Sequence, residues 1–300
     1  MTLRFIHLIL CISASITLAA QSYSAHTRAW GDIEHHGRAW VTNLSKDNKI
    51  SKGLQDRHIS LWASHGYYYD QQKQKWKWQR PNLFGTTEDL FTQTIVVPYL
   101  IPMLENAGAN VFTPRERDWQ KHEVIVDNDD ERPGTSYLEI NVNGNWEKAP
   151  QKGFANRKSV YSDGENPFQQ GTCRMATSTK RKNPSLVSYQ PNLPQAGKYA
   201  VYVSYQTVEK SVDDAQYIVY HKGQETSFSV NQQMGGGTWV YLGTFDFDAG
   251  DNPYNRVVIT NLSRKKHRVV TTDAVRFGGG MGNIQRGGTV SGMPRAIEGA

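Results

Sequence analysis

The chain has 300 residues, 38% of them hydrophobic and 21% charged, with a formal net charge of +6. This length allows two domains of ordinary size. The basic residues are scattered apart from the runs 180–182 and 264–268. Because no basic-aromatic motif accompanies them, nucleic-acid binding is not expected, whereas weak attraction to anionic wall polymers fits the charge.

The first 20 residues predict a secretory signal peptide. Arg4 supplies a positive charge, an apolar run extends from Phe5 to Leu18, and small residues follow. That run is too short and wrongly flanked for a membrane span, and no later segment is long and apolar enough. We therefore expect an exported protein, periplasmic or secreted. Loss of this segment leaves Cys173 as the sole cysteine, so a structural thiol is favoured over a catalytic one.

The next part of the chain predicts a strand, a helix and a second strand. The first strand is expected from His58 to Ala63 and is followed by a His-Gly loop. The second strand is expected from Asn110 to Thr113, parallel to the first because a helix connects them. We expect the Lys/Gln-rich stretch around Trp76-Lys-Trp78 to form a loop or a hairpin.

The predicted helix carries its own start and stop signals. Thr86 or Thr87 can cap its first turn, where acidic residues favour the helix dipole. Pro98 and Pro102 should kink or interrupt the helix, and Gly108 should end it.

Two side chains of this unit are candidate metal ligands. His65 follows the first strand and Glu88 begins the helix, so both should face the crevice at the strand ends where open α/β sheets bind ligands. Half of a zinc site is one interpretation. The other is a turn histidine beside a helix-capping glutamate.

Residues 54–126 also resemble a known family. The segment Ser60-Leu-Trp-Ala-Ser-His-Gly66 and the later Val-x-x-x-Arg-x-x-Asp pattern resemble zinc-dependent N-acetylmuramoyl-L-alanine amidases. The resemblance implies that His65 and Glu88 hold zinc, with Arg115 and Asp118 as supporting residues. The chain departs from the family at Ser64 and at 113–114.

The amidase resemblance also implies a third zinc ligand, which comes from a Ser-x-His-x-(Asn/Asp)-Ala strand. The later histidines, His122, His221 and His267, lack that context. The catalytic residues are therefore unknown. With two ligands we expect this chain alone to bind zinc weakly and not to hydrolyse peptidoglycan.

Beyond the acidic, turn-rich stretch 127–134 the pattern changes to short alternating strands. Six or more such strands, separated by turns, predict an antiparallel β-sandwich. We expect Tyr199, Val201 and Val203 to face its core. Asp214 and Asp273 each precede a strand, and their context favours loop anchoring over a catalytic acid pair.

Residues 155–280 resemble the golvesin C-terminal-like domain associated with proteins labelled xanthan lyases. Several motifs carry this resemblance in order, among them Ala196-Gly-Lys-Tyr199, Gly237-Thr-Trp-Val-Tyr-Leu242 and Thr272-Asp-Ala-Val-Arg-Phe277. It implies a jelly-roll module that resembles carbohydrate-binding domains, without an agreed catalytic role.

The sequence thus predicts a partial α/β unit followed by an all-β sandwich. The expected division is a signal peptide (1–20), an α/β amidase-like half (26–130), the β-sandwich (131–285), and a linker with the start of a truncated second α/β half (286–300). Three functions remain open: a zinc amidase acting on peptidoglycan, a non-catalytic carbohydrate-binding module, and a polysaccharide (xanthan) lyase-associated protein. A lyase would need a base and a charge neutraliser, and no residues single these out.

Overall fold

The computed structural model describes residues 37–55, 57–63, 65–84, 86–113, 117–118, 120, 122–129, 134–155 and 165–279. The described residues from Arg38 onward belong to one compact unit. The predicted signal peptide, Ser64, Arg115 and the predicted segment 286–300 lie outside the described residues. Within the described part of the chain, no helix is both long enough and apolar enough to cross a membrane.

The predicted strand–helix–strand unit contains a parallel strand pair. β2 (His58–Ser60) and β7 (Asn110–Phe112) lie side by side with Ile59 opposite Val111, which confirms the predicted parallel pairing. The chain between them forms β3 (Tyr67–Asp70), β4 (Lys75–Trp78), β5 (Asn82–Leu83), β6 (Thr86–Thr87), α1 (Glu88–Ile95), a π-helical turn (Val96–Leu100) and α2 (Ile101–Asn106). β3 and β4 pair as an antiparallel hairpin, as expected for this stretch.

The two prolines interrupt the helix as predicted. Pro98 lies inside the π-helical turn, where the N–H of Ile101 donates to the carbonyl of Val96, five residues earlier. Proline has no N–H to donate, so the regular ladder of hydrogen bonds fails at this point. Pro102 lies in the first turn of α2, a position that tolerates proline. Gly108, at φ +104°, then ends the helix.

One face of this helical segment is exposed. Phe91, Ile95, Tyr99 and Met103, each four residues after the last, are between 47% and 68% exposed. Ile101 is 1% exposed. The apolar side chains of this helical segment are therefore only partly buried.

The β-domain is a sandwich of antiparallel sheets. Its strands are β1 (Val41–Asn43), β8 (Glu123–Asp127), β9 (Ser136–Ile140), β10 (Glu147–Gly153), β11 (Gly171–Thr177), β12 (Leu186–Gln190), β13 (Asn192–Leu193), β14 (Gly197–Val203), β15 (Ala215–His221), β16 (Gln224–Val230), β17 (Val240–Phe247), β18 (Gly250–Asp251), β19 (Arg256–Thr260), β20 (Val269–Thr272) and β21 (Ala274–Gly278). The six-stranded sheet has the order β1–β16–β15–β19–β12–β9, the four-stranded sheet β17–β14–β21–β8, and the three-stranded sheet β10–β11–β20.

Strand β14 is buried on both of its faces. Tyr199, Val201 and Val203 are fully buried in the main core, to which the six- and four-stranded sheets both contribute, as predicted. Ala200 and Tyr202 point the other way into a second cluster. This second cluster also contains Ile125, Phe154, Phe168, Trp239 and Ala274. Because this second cluster covers the other face of β14, apolar residues also occupy the alternate positions of the strand.

Strands from before the predicted boundary at residue 131 complete the sandwich. β8 pairs with β21, and β1 pairs with β16, where Val41 lies opposite Val230. The segment 155–280 lacks β1, β8, β9 and β10, so it is not the whole sandwich. The sandwich itself is confirmed, whereas an α/β amidase half and the domain boundaries stay predictions.

Candidate functional site

The structure brings the two predicted ligands together. His65 follows β2, and Glu88 is the first residue of α1. The Nε2 atom of His65 lies 3.5 Å from Oε1 of Glu88, with 21% and 62% of their side chains exposed. The predicted approach of these side chains is confirmed, and their metal-binding role stays a hypothesis.

Arg80, which the sequence did not single out, lies between them. Its Nη2 is 3.1 Å from Nε2 of His65, and its Nε is 3.9 Å from Oε2 of Glu88. A guanidinium group only donates hydrogen bonds, so Nε2 of His65 is the acceptor in this contact. The lone pair that a zinc ion would need at Nε2 is thus directed at Arg80. The backbone N–H of Arg80 donates to Oδ2 of the buried Asp89 at 2.9 Å. This bond holds the chain that follows β4 beside α1.

The donors present do not fit a catalytic zinc site. Such a site needs three protein ligands and an open position for water. In the part of the chain that the structure describes, no group of three or more His, Cys, Asp or Glu side chains could hold a metal ion. His122 lies instead beside the β-domain, with Nε2 3.3 Å from Oε1 of Gln195.

The structure describes one of the two predicted supporting residues, Asp118. Arg115 lies outside the described residues. Asp118 is 4% exposed, and its Oδ1 accepts a hydrogen bond from the N–H of Gln120 at 3.2 Å. No described contact joins it to His65 or Glu88.

Arg117, next to Asp118, links α2 to the β-domain. Its Nη1 is 2.7 Å from Oε1 of Glu105, and its guanidinium carbon lies 4.0 Å from the ring centre of Tyr241. Its backbone N–H donates to the hydroxyl of Tyr202 at 3.2 Å. Tyr202 lies 85 residues from Arg117 in the chain, so no local sequence signal could have predicted this contact.

Asp214 and Asp273 anchor loops, as predicted. Asp214 is buried and accepts hydrogen bonds from Oγ of Ser263 at 2.5 Å and from the N–H of Arg264 at 2.9 Å. Asp273 is fully buried and accepts from the N–H of Phe154 and from Oγ of Ser204, both at 2.9 Å. Burial raises the pKa of Asp273 to about 7. Each carboxyl holds its own loop, so they form no catalytic pair.

Cys173 is also structural. Its side chain is fully buried, and its thiol donates to the carbonyl of Thr272 at 3.3 Å. Burial raises the pKa of this thiol well above its ordinary value. A buried thiol with a raised pKa is a poor nucleophile, which supports a structural role for Cys173.

A polar and aromatic cluster occupies one end of the six-stranded sheet. This sheet-end cluster consists of Gln190, Tyr220, Asp251, Tyr254 and Arg256. The guanidinium of Arg256 stacks 4.6 Å over the ring of Tyr220, and Nε2 of Gln190 donates to Oδ1 of Asp251 at 2.5 Å. Tyr254 is 68% exposed. Tyr254 lies two residues before Arg256 in the chain. An exposed aromatic ring together with amide, carboxylate and guanidinium groups suits the binding of a sugar.

Residues 124–279 match the family described as Golvesin C-terminal domain. Over 97 residues the chain is 36% identical to a xanthan lyase from Bacillus sp. (strain GL1), which covers 32% of this chain and 10% of that protein. The chain therefore spans about a tenth of the length of this curated relative.

Two solved structures are also similar to this chain. Xanthan lyase from Paenibacillus is 24% identical with a TM-score of 0.40, over 54% of this chain and 13% of that one. The C-terminal CBM6 of a marine laminarinase from Zobellia galactanivorans is 17% identical with a TM-score of 0.28, over 48% of this chain and 99% of that one. At these TM-scores the structural likenesses carry no functional argument.

Proposed function

Because the chain belongs to the golvesin C-terminal domain family through residues 124–279, we propose that its β-sandwich binds polysaccharide as a non-catalytic module. The observation that carries this proposal is the sheet-end cluster. The curated relative, whose name refers to the polysaccharide xanthan, supports the same class of ligand.

The sheet-end cluster offers two kinds of contact to a sugar. The exposed ring of Tyr254 can pack against the apolar face of a pyranose. Gln190, Asp251 and Arg256 present amide, carboxylate and guanidinium groups that hydrogen-bond to hydroxyls. Gln190, Tyr220 and Arg256 lie in β12, β15 and β19, three neighbouring strands of one sheet that give these side chains a rigid support. Asp251 lies in β18, and Tyr254 lies in the turn that follows it.

The test is binding of the full chain to purified polysaccharides, among them xanthan, measured by isothermal titration calorimetry. Tyr254→Ala should weaken binding by about threefold to tenfold, the worth of one aromatic packing contact. Tyr99→Ala is the matched control, because Tyr99 is 63% exposed but lies on the helical segment. Lack of binding to every polysaccharide tested would contradict the proposal.

We further propose that the protein is exported, on the basis of the signal-peptide pattern in residues 1–20. The test is fractionation of cells that express the full chain or a form without residues 2–20. Export should require that segment. Equal export of both forms would contradict this assignment.

A second candidate function is the zinc-dependent amidase chemistry implied by the family resemblance of residues 54–126. The observation in its favour is the 3.5 Å approach of His65 to Glu88. Because the described residues supply two donors and not three, we propose that the chain binds zinc weakly and does not release stem peptides from peptidoglycan.

The guanidinium of Arg80 makes the zinc hypothesis testable without an activity assay. Removal of this group in Arg80→Ala frees Nε2 of His65 and should tighten zinc binding in calorimetry, whereas His65→Ala should abolish it. Zinc binding that His65→Ala leaves unchanged would exclude this pair as ligands. Chelator-sensitive release of stem peptides by the unchanged chain would show that a further ligand completes the site.

We do not extend lyase activity to this chain. The name of the curated relative refers to a protein of which this chain covers 10%.

A further inference from the structure

Two basic loops that lie far apart in the sequence meet on one surface of the β-domain. One loop joins β11 to β12 and the other joins β19 to β20. We call their seven cationic side chains the basic surface: Lys180, Arg181, Lys182, Arg264, Lys265, Lys266 and Arg268.

Backbone and hydroxyl hydrogen bonds join the two loops. The N–H of Ser178 donates to the carbonyl of Arg268 at 2.9 Å, and the N–H of Arg268 donates back to Oγ of Ser178 at 3.0 Å. One residue further, Thr179 donates to Asn261 and accepts from Ser263, both at 2.9 Å. Hydrogen bonds in both directions hold the loops in register.

The support below the basic surface is buried and rigid. Asn261 is fully buried, and its Nδ2 donates to the carbonyls of Asn143 and Thr177 at 2.8 and 2.9 Å. In turn, Nδ2 of Asn143 donates to the carbonyls of Lys182 and Asn183 at 3.2 and 2.8 Å. The backbone of both loops is thus held in place before any ligand arrives, which lowers the entropy cost of binding.

The basic surface is only partly neutralised. Among the described residues, the acidic side chains that form ion pairs with it are Asp213, at 2.8 Å from Lys265, and Asp214, at 3.2 Å from Arg264. Asp214 also lies 4.0 Å from Arg38, so its charge is shared with another cation. Seven cationic side chains against two carboxylates leave an excess of five positive charges, close to the net charge of +6 of the whole chain.

The chemistry of these loops favours an anionic ligand rich in hydroxyl groups. The adjoining turn Asn141-Val-Asn-Gly-Asn145 adds exposed amides, which bond to hydroxyls. The stretches 141–145, 178–185 and 261–268 contain no Phe, Tyr or Trp. These loops therefore offer mainly charge and hydrogen-bonding groups, and we expect their attraction for a ligand to come from charge.

We propose that the basic surface binds the carboxylate groups of an acidic polysaccharide. This inference rests on the proposed polysaccharide binding. It adds that the polysaccharide is acidic and that the protein contacts it through a second surface. Contacts between exposed charges are screened by salt, so binding to an acidic chain should weaken as ionic strength rises. Binding of a neutral chain at the sheet-end cluster should not.

The test uses the full chain with polygalacturonate as the acidic probe, dextran as the neutral probe, and double-stranded DNA as another polyanion. A triple variant, Lys180→Gln, Lys182→Gln and Lys266→Gln, removes exposed charges that lie outside the ion pairs with Asp213 and Asp214. The matched control is Lys46→Gln, Lys198→Gln and Lys222→Gln, which changes the net charge equally at exposed positions elsewhere.

The expected result is a loss of about tenfold or more in polygalacturonate affinity for the loop variant, and little change for the control. Two results would overturn this inference and leave polysaccharide binding intact. One is that the loop variant binds polygalacturonate as tightly as the unchanged chain. The other is that the unchanged chain binds dextran and polygalacturonate with equal affinity and without dependence on salt. Tighter binding to DNA than to polygalacturonate at the same salt would also overturn it. Failure of every polysaccharide to bind would overturn the proposed function as well.

Discussion

The indole Nε1 of Trp40 donates a 2.6 Å hydrogen bond to the hydroxyl of Tyr205, 165 residues later in the chain. The ring of Trp40 also lies 4.2 Å from that of Phe112 in β7, and its backbone N–H donates to Nε2 of His58 in β2 at 3.1 Å. One residue thus contacts the core of the β-domain and both strands of the parallel pair. The strand–helix–strand unit is therefore packed against the sandwich.

We expect Trp40→Phe to lower the free energy of unfolding by about 1–2 kcal/mol. The change keeps an aromatic ring but removes the donor to the fully buried Tyr205, whose hydroxyl still donates to the carbonyl of Met234 at 2.7 Å. Chemical denaturation measures the loss. Trp62→Phe is the control, because Trp62 is 54% exposed and should change the stability by less than about 0.5 kcal/mol. Equal stability of the two variants would contradict the role of the Trp40 bond.

Gly235 lies against the same indole. Its φ is +72°, and a Cβ there would lie 1.8 Å from Cζ2 of Trp40. Gly223 has nearly the same φ, +73°, but no atom within 4 Å of its virtual Cβ. Gly223→Ala should therefore cost only backbone strain of about 1 kcal/mol, whereas Gly235→Ala should cost several times more because it collides with Trp40. Thermal and chemical denaturation compare the two, and similar losses would show that the contact is not rigid.

The buried carboxyl of Asp273 should make stability depend on pH. Its pKa is about 7 in the folded protein, mainly because of burial, against an ordinary value of 3.8. Between these values the unfolded chain has lost a proton that the folded protein keeps. The free energy of unfolding should therefore fall as pH rises from about 4 to about 7, by at most about 1.4 kcal/mol per pH unit from this group.

Asp273→Asn removes this titration and is the control for it. The difference in unfolding free energy between Asp273→Asn and the unchanged chain should vary across that pH range and be constant above it. The Asn side chain can still accept a hydrogen bond from Ser204 or Phe154. Parallel pH profiles for the two proteins would show that Asp273 does not titrate in this window.

Arg117→Lys should destabilise the contact between α2 and the four-stranded sheet. Lysine keeps the charge but loses both the paired hydrogen bonds to Glu105 and the planar stacking on Tyr241. We expect a loss of about 1–3 kcal/mol in the free energy of unfolding, because the guanidinium is largely buried. Arg256→Lys is the comparison, since Arg256 also stacks on a tyrosine but near the surface, and it should cost less than about 1 kcal/mol. Equal losses would mean that burial adds nothing to the Arg117 contact.

Local signals in the sequence predicted several elements correctly. Pro98 predicts an interruption because a missing N–H breaks the hydrogen-bond ladder inside a helix, and Gly108 predicts an end because few other residues adopt its φ. The alternation of Tyr199, Val201 and Val203 predicts a buried strand face, since side chains alternate along any strand. The parallel pairing of β2 with β7 follows from the helix between them. The approach of His65 to Glu88 follows from the same topology.

Contacts between residues that lie far apart in the sequence were decided only by the tertiary structure. Arg80 reaches Nε2 of His65 through a hairpin whose course no local pattern specifies. β8 joins the β-sandwich although a turn-rich stretch separates it from the next strand, because the open edge of β21 is paired in this way. The two basic loops form one surface because β11, β12, β19 and β20 bring their ends together. Backbone conformational preferences act within a few residues and are readable in the sequence, whereas such contacts depend on how whole sheets pack.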